Sequence, residues 1–146
     1  MTKEQKYQSF IEEHLSFASR QEFVEDVKEY FGFLWVGFYD VDGESLTLGE
    51  YAGLPACEMI RFGRGVCGTA WKEKRTIIVP DVEQFSGHIA CSSLSKSEIV
   101  IPIFDGENVV SELDIDSEEL GTFDEVDARY LSLLLGNILK DNTKNK

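Results

Sequence analysis

The hydrophobic rhythm of the chain changes once, near residue 33. Before that point the stripe positions recur every three to four residues. Tyr7, Ile11, His14, Leu15 and Ala18 make one stripe, and Phe23, Val24, Val27, Tyr30 and Phe31 a second. This spacing predicts two helices over the first 31 residues. Thr2 with Gln5, and Ser19 with Glu22, have the spacing of capping boxes. From residue 33 the period falls to two. Residues 33–41 read as a strand rich in Val and aromatics, closed by the hairpin signal Asp42-Gly43. Residues 45–51 alternate as its partner. Gly63, Gly65 and Gly68 mark a tight turn before a short helix around 69–74, and 76–79 is a strand ended by Pro80. Residues 81–96 have no clean period and read as a long loop with room for one helical turn. Loops of that length in compact domains tend to carry function. Strands are predicted at 97–104 and 108–116, joined at Asp105-Gly106. A final helix is capped by Thr122 with Glu125, and Val126, Tyr130, Leu133, Leu134 and Ile138 form its inner stripe. The tail after residue 140 is polar and expected to fray.

This order predicts one α+β domain over residues 1–146. A central antiparallel sheet carries the N-terminal helix pair and the C-terminal helix on one face. A loop-covered pocket occupies the other face. Alternation puts Trp35, Gly37 and Tyr39 on one side of their strand, with Leu34, Val36 and Phe38 opposite. It likewise puts Val110, Glu112, Asp114 and Asp116 on the pocket side of the last strand. Val109, Ser111, Leu113 and Ile115 face the helices.

Composition narrows the function. The net charge of -13 disfavours nucleic acid and anionic membranes, which need a basic surface. No apolar run approaches the length of a membrane span, and the first residues lack a signal-peptide stretch. A cytoplasmic location is the expectation. Thiols are reduced there, so three cysteines point to catalysis, metal binding or indifference rather than a disulfide framework.

The three cysteines are Cys57, Cys67 and Cys91. Cys91 closes the word 87–91 in the long loop, three residues after His88. Loop placement suits an accessible nucleophile, and His88 or the Ser92 and Ser93 hydroxyls and amides can help it reach the thiolate state. The alternative is a buried, inert thiol. Glu98 opens an otherwise apolar strand. Desolvation there would keep its carboxyl protonated near neutrality, as a general acid requires; the alternative is an exposed strand-edge acid. Asp114 and Asp116 share a strand face. They are either solvated or a seat for an ammonium group or a metal. The acids between 112 and 127, eight in all with no Lys or Arg, are otherwise a solubilising face, and Glu112 is expected at the solvated rim of the sheet. No Cys-x-x-Cys is present and His14 lies on the first helix, so no metal site is assigned. Gly63-x-Gly65-x-x-Gly68 is a weak dinucleotide fingerprint, better read as a loop-to-helix turn.

Seven words taken in order resemble the free methionine-(R)-sulfoxide reductase family, a catalytic branch of the GAF-domain fold. They are the words 35–39, 53–57, 62–68, 79–82, 87–91, 95–100 and 113–117, and they place all three cysteines. The resemblance implies a GAF-like fold and reduction of the free amino acid sulfoxide, with no cofactor. It implies Cys91 as the attacking cysteine, Cys57 as the recycling cysteine and Cys67 as a third that joins disulfide exchange. It implies Glu98 as the acid at the sulfoxide oxygen. Asp114 and Asp116 would hold the substrate ammonium, and Trp35 and Tyr39 would line the methyl-sulfur end. Cys91 would pass through a sulfenic acid to a disulfide with Cys57, which needs the two Cα atoms within about 7 Å. Thioredoxin is the implied reductant, and a homodimer through the terminal helices is in keeping with the fold. Family members usually carry a small or apolar pair where this chain has Ser111-Glu112. A GAF module that binds a small molecule or senses redox state without turnover is the competing reading.

Overall fold

The computed structural model describes residues 1–89 and 91–139. Ala90, within the 87–91 word, and the tail from residue 140 lie outside the described residues. The elements are α1 (Lys3–Glu13), α2 (Arg20–Phe31), β1 (Trp35–Asp42), β2 (Ser45–Ala52), β3 (Met59–Arg61), α3 (Gly65–Glu73), β4 (Ile77–Val79), β5 (Ser97–Asp105), β6 (Asn108–Ser117) and α4 (Glu125–Leu135). The six strands form one antiparallel sheet in the order β3-β2-β1-β6-β5-β4. The α+β class and the antiparallel sheet are therefore as the pattern predicts.

Strand alternation divides the interior into two cores. On one face Val36, Phe38, Ile99, Leu113 and Ile115 pack against Tyr7, Phe10, Phe23, Val27, Leu131 and Leu134 of the three outer helices. On the other, Trp35, Tyr39, Ile77, Val79 and Val100 pack against Val66, Cys67 and Ala70 of α3. Each fully buried large side chain contributes on the order of 1.5–3 kcal/mol. The site is built on the second face.

The helix boundaries correct several expectations. The Thr2–Gln5 capping box forms, but α1 ends at Glu13, so the predicted stripe stops short. Phe10 is buried in place of Leu15, which is 77% exposed. Ser19 caps α2 through the Glu22 amide, while the Glu22 carboxylate turns to the Ala18 amide instead of closing a box. The last helix is capped by Asp124 with Asp127, not by Thr122 with Glu125. Thr122 sits within bonding distance of the Ser117 hydroxyl, 2.6 Å away, and caps nothing. Shifting the start moves the inner face to Leu131 and Leu134 and leaves Leu133 exposed. Asp127 is also the clasp between the chain ends. It accepts from Tyr7 Oη and from Lys3 Nζ, each at 2.6 Å.

The short helix begins earlier than predicted, at Gly65, so Cys67 and Gly68 are helical rather than part of a turn. Gly68 is required by close approach. A Cβ there would lie 2.6 Å from the Arg61 carbonyl oxygen. Its absence lets α3 settle against β3 and across the sheet. The long loop contains one 3-10 turn, Val82–Gln84.

Candidate active site

Two loops and four regular elements, β1, α3, β5 and β6, meet on the α3 side of the sheet. The first loop, between β2 and β3, carries Cys57 and is pinned from β1. Tyr39 Oη donates to the Cys57 carbonyl at 2.8 Å, and Trp35 Nε1 donates to the Leu54 carbonyl at 2.9 Å. Gly37 between those two aromatics leaves the space that the Trp35 indole fills, since a Cβ there would fall 2.2 Å from the ring. The second loop, between β4 and β5, carries His88 and Cys91. Its base is closed by the Val82 amide on the Lys96 carbonyl and the Lys96 amide on the Ser117 carbonyl. Cys57 and Cys91 are joined as a disulfide with Cα atoms 5.3 Å apart. Cys67 is free and buried.

Beneath the loops lies a row of acids. Glu98 on β5 sits opposite Asp116 on β6, and Asp114 lies opposite Gly37 and Val100. Glu98, Asp114, Asp116, Cys67, His88 and Cys91 all line one cleft of about 400 Å³, part of it continuous with solvent. A second cleft of about 310 Å³ adjoins it, sharing Cys91 and Asp116, and Trp35 lies in its wall. Tyr39 is buried and lines neither cleft; its hydroxyl holds the Cys57 loop.

The acids cannot all ionise so close together. Burial first, and then the charges of Asp114 and Asp116, hold the Glu98 carboxyl well above its ordinary range. Asp116 is also pushed far up, by burial and by Asp114, against the opposing hydrogen bond from Ser95 Oγ at 3.0 Å. Asp114 rises by burial, opposed by its neighbours Glu98 and Cys67. Burial drives the Cys67 thiol up, with Asp114 and Glu112 adding to it. His88 Nε2 stands 4.0 Å from Glu98 Oε1, and burial lowers its pKa against the pull of Asp114. Such a site can hold a protonated carboxyl near neutral pH beside a sulfur nucleophile.

Glu112 departs from expectation. It is 0% exposed, and neither oxygen has a hydrogen-bond partner among the described residues. Alternation gave the correct face, but α3 covers that face where a solvated rim was expected. Burial, reinforced by Asp114 and opposed by Cys67, raises its pKa to about 9.

Residues 18–138 match the GAF domain family. A solved structure of free methionine-R-sulfoxide reductase from Neisseria meningitidis, in complex with its substrate, is 43% identical; the match covers 91% of this chain and 81% of that one, with a TM-score of 0.79. The chain belongs to the free methionine-(R)-sulfoxide reductase family of GAF-fold proteins. The family includes a Saccharomyces cerevisiae free methionine-R-sulfoxide reductase that is 46% identical over 104 residues, 68% of this chain and 58% of the yeast protein. A GAF domain-containing protein A of Dictyostelium discoideum is 58% identical over 110 residues, 75% of this chain and 70% of that protein. This chain thus spans less than two thirds of the yeast reductase.

Two cavity-lining features escaped the sequence reading. Arg64 brings the cleft a cation at the start of α3, and that helix start carries no side-chain cap. Ser95 reaches Asp116 from the loop. The flanking glycines around Arg64 were the available signal for the first. For the second it was the 95–100 word, which assigned Ser95 no role because loop conformation decides what it reaches.

Proposed function

We propose that the protein reduces free L-methionine-(R)-sulfoxide to L-methionine, with Cys91 as nucleophile, Cys57 as resolving cysteine and Glu98 as proton donor. One observation carries the reading. A thiol position already paired with a second cysteine opens on the same cleft as Glu98, Asp114 and Asp116. The Cys91 sulfur attacks the sulfoxide sulfur while Glu98 gives a proton to its oxygen, which would otherwise leave poorly. Oxygen passes to Cys91, methionine leaves, and Cys91 is a sulfenic acid. The Cys57 thiol displaces that oxygen as water and forms the disulfide. An external dithiol, thioredoxin, then reduces the disulfide and is itself oxidised. A reducing cytoplasm suits that cycle.

Asp114 and Asp116 pair with the substrate ammonium, which compensates the acids that share the cleft. A peptide bond at that nitrogen would remove the charge and collide with the wall, so the free amino acid is selected. The carboxylate end is served by Arg64 and by the uncapped amides at the start of α3. Trp35 flanks Cys91 from the adjoining cleft, on the methyl-sulfur side. Cys67, buried and held as a thiol, is kept back from the first disulfide.

The test is NADPH consumption by purified protein with thioredoxin and thioredoxin reductase, given each diastereomer of free methionine sulfoxide. Turnover of the R form alone is expected. Binding of the R form without turnover would replace the enzyme by a sensing module.

A further inference from the structure

We propose that Cys67, Glu98 and Asp114 form a binding site for zinc inside the cleft, with His88 beside Glu98. The spacing of these residues along the chain, 67, 88, 98 and 114, gives no metal signature. The fold assembles them from α3, the loop before β5, β5 and β6. Cys67 Sγ, one Glu98 oxygen and one Asp114 oxygen all lie within 4.8 Å of one another. His88 Nε2 approaches Glu98 to 4.0 Å. Asp114 lines the cleft and is 5% exposed, and its buried Oδ1 has no hydrogen-bond partner among the described residues. A desolvated carboxylate oxygen without a partner is costly, and a bound cation would compensate it.

The donor set selects the ion. One sulfur and two carboxylate oxygens make a borderline-soft set of three donors with a fourth position for water, which suits Zn²⁺ over Mg²⁺ or Ca²⁺. Zinc bonds of about 2.0–2.3 Å place tetrahedral donors about 3.5 Å apart. The donors therefore need to close in by about an ångström. Binding displaces the thiol proton of Cys67 and any proton on the two carboxyls. It occupies the position proposed for the ammonium and holds Glu98 as a carboxylate, so zinc competes with the amino acid. Because Cys67 is outside the Cys57–Cys91 disulfide, the oxidised protein retains all three donors.

The oxidised protein also makes the test clean, since Cys67 is then its one free thiol. Co²⁺, a spectroscopic substitute for zinc, is titrated into it and displaced with Zn²⁺. A near-ultraviolet thiolate-to-cobalt absorption and intense tetrahedral visible bands are expected, and both vanish on zinc addition. Cys67→Ser removes the thiolate absorption, and its fold is checked by circular dichroism. Substituting even a residue that only orients a metal ligand weakens binding about 10–100-fold, so Asp114→Asn, which removes a carboxylate donor, weakens cobalt at least about tenfold. No thiolate absorption in the native protein overturns the proposal. So does the same absorption in Cys67→Ser, or unchanged affinity in Asp114→Asn. None of these readouts uses turnover, so the reductase reading stands or falls separately, on metal-free assays.

Discussion

At Glu112 the cost of burial can be measured directly. Its carboxyl titrates near 4.5 when exposed and near 9 when folded. A raised folded pKa means stability that is intact below about 4.5 and is lost as pH rises toward 9. Glu112→Gln should remove that slope. The variant should gain on the parent by more than about 1 kcal/mol between pH 5 and pH 8, read from urea unfolding at each pH. A constant difference across that range would show that Glu112 is not held neutral. The proposed chemistry makes its own residue-scale claims. Cys91→Ser should form no methionine even in a single turnover. Cys57→Ser should form about one equivalent and then stall, because chemistry and regeneration are separate steps. Glu98→Gln keeps both thiols and should lose about 10²-fold or more in the methionine-forming step. Alternation along residues 109–116 was enough to put Glu112, Asp114 and Asp116 on one face. It could not give depth, because depth is set by α3, which packs over that face from 40 residues away in sequence.

Elements were readable where their signals were local. The hairpins at Asp42-Gly43 and Asp105-Gly106 follow from turn chemistry, and the strands from period two. The helix ends were less readable, because several side chains near each end compete for the same orphan amides, and tertiary contacts choose among them. Asp124 prevails over Thr122 since Asp127, three residues on, is also claimed by Lys3 and Tyr7. The pairing of the two loops was invisible to pattern, and the family resemblance supplied it. Two substitutions test what positions those loops. Gly68→Ala should push α3 off the Arg61 carbonyl and destabilise the protein by about 1–3 kcal/mol, read by thermal melting. Tyr39→Phe removes the hydrogen bond to Cys57 while keeping the ring. It should slow disulfide formation and leave the first equivalent of methionine intact, as seen by rapid quench.

At the scale of the molecule, the sheet separates two tasks. The helical face supplies the aromatic core, and the opposite face carries the polar, energetically costly groups. Among the described residues no helix is long and apolar enough to cross a membrane. The disulfide spans 34 positions of sequence. On chain-entropy grounds its reduction should lower global stability by about 3–4 kcal/mol, measured by unfolding with and without a dithiol. A similar midpoint in both states would mean that the reduced chain keeps its loops equally confined.

The bond between Cys57 and Cys91 also ties together two flaps that are otherwise anchored separately, one to β1 and one at the foot of β5. On the proposed cycle its formation would stiffen the doorway in the same event that completes a catalytic round, and its reduction would let the two flaps part. Amide exchange in residues 85–89 and 91–95 should accelerate when the protein is reduced, while the β-sheet floor stays quiet. The redox state of one covalent link would thus set how readily the next guest comes in.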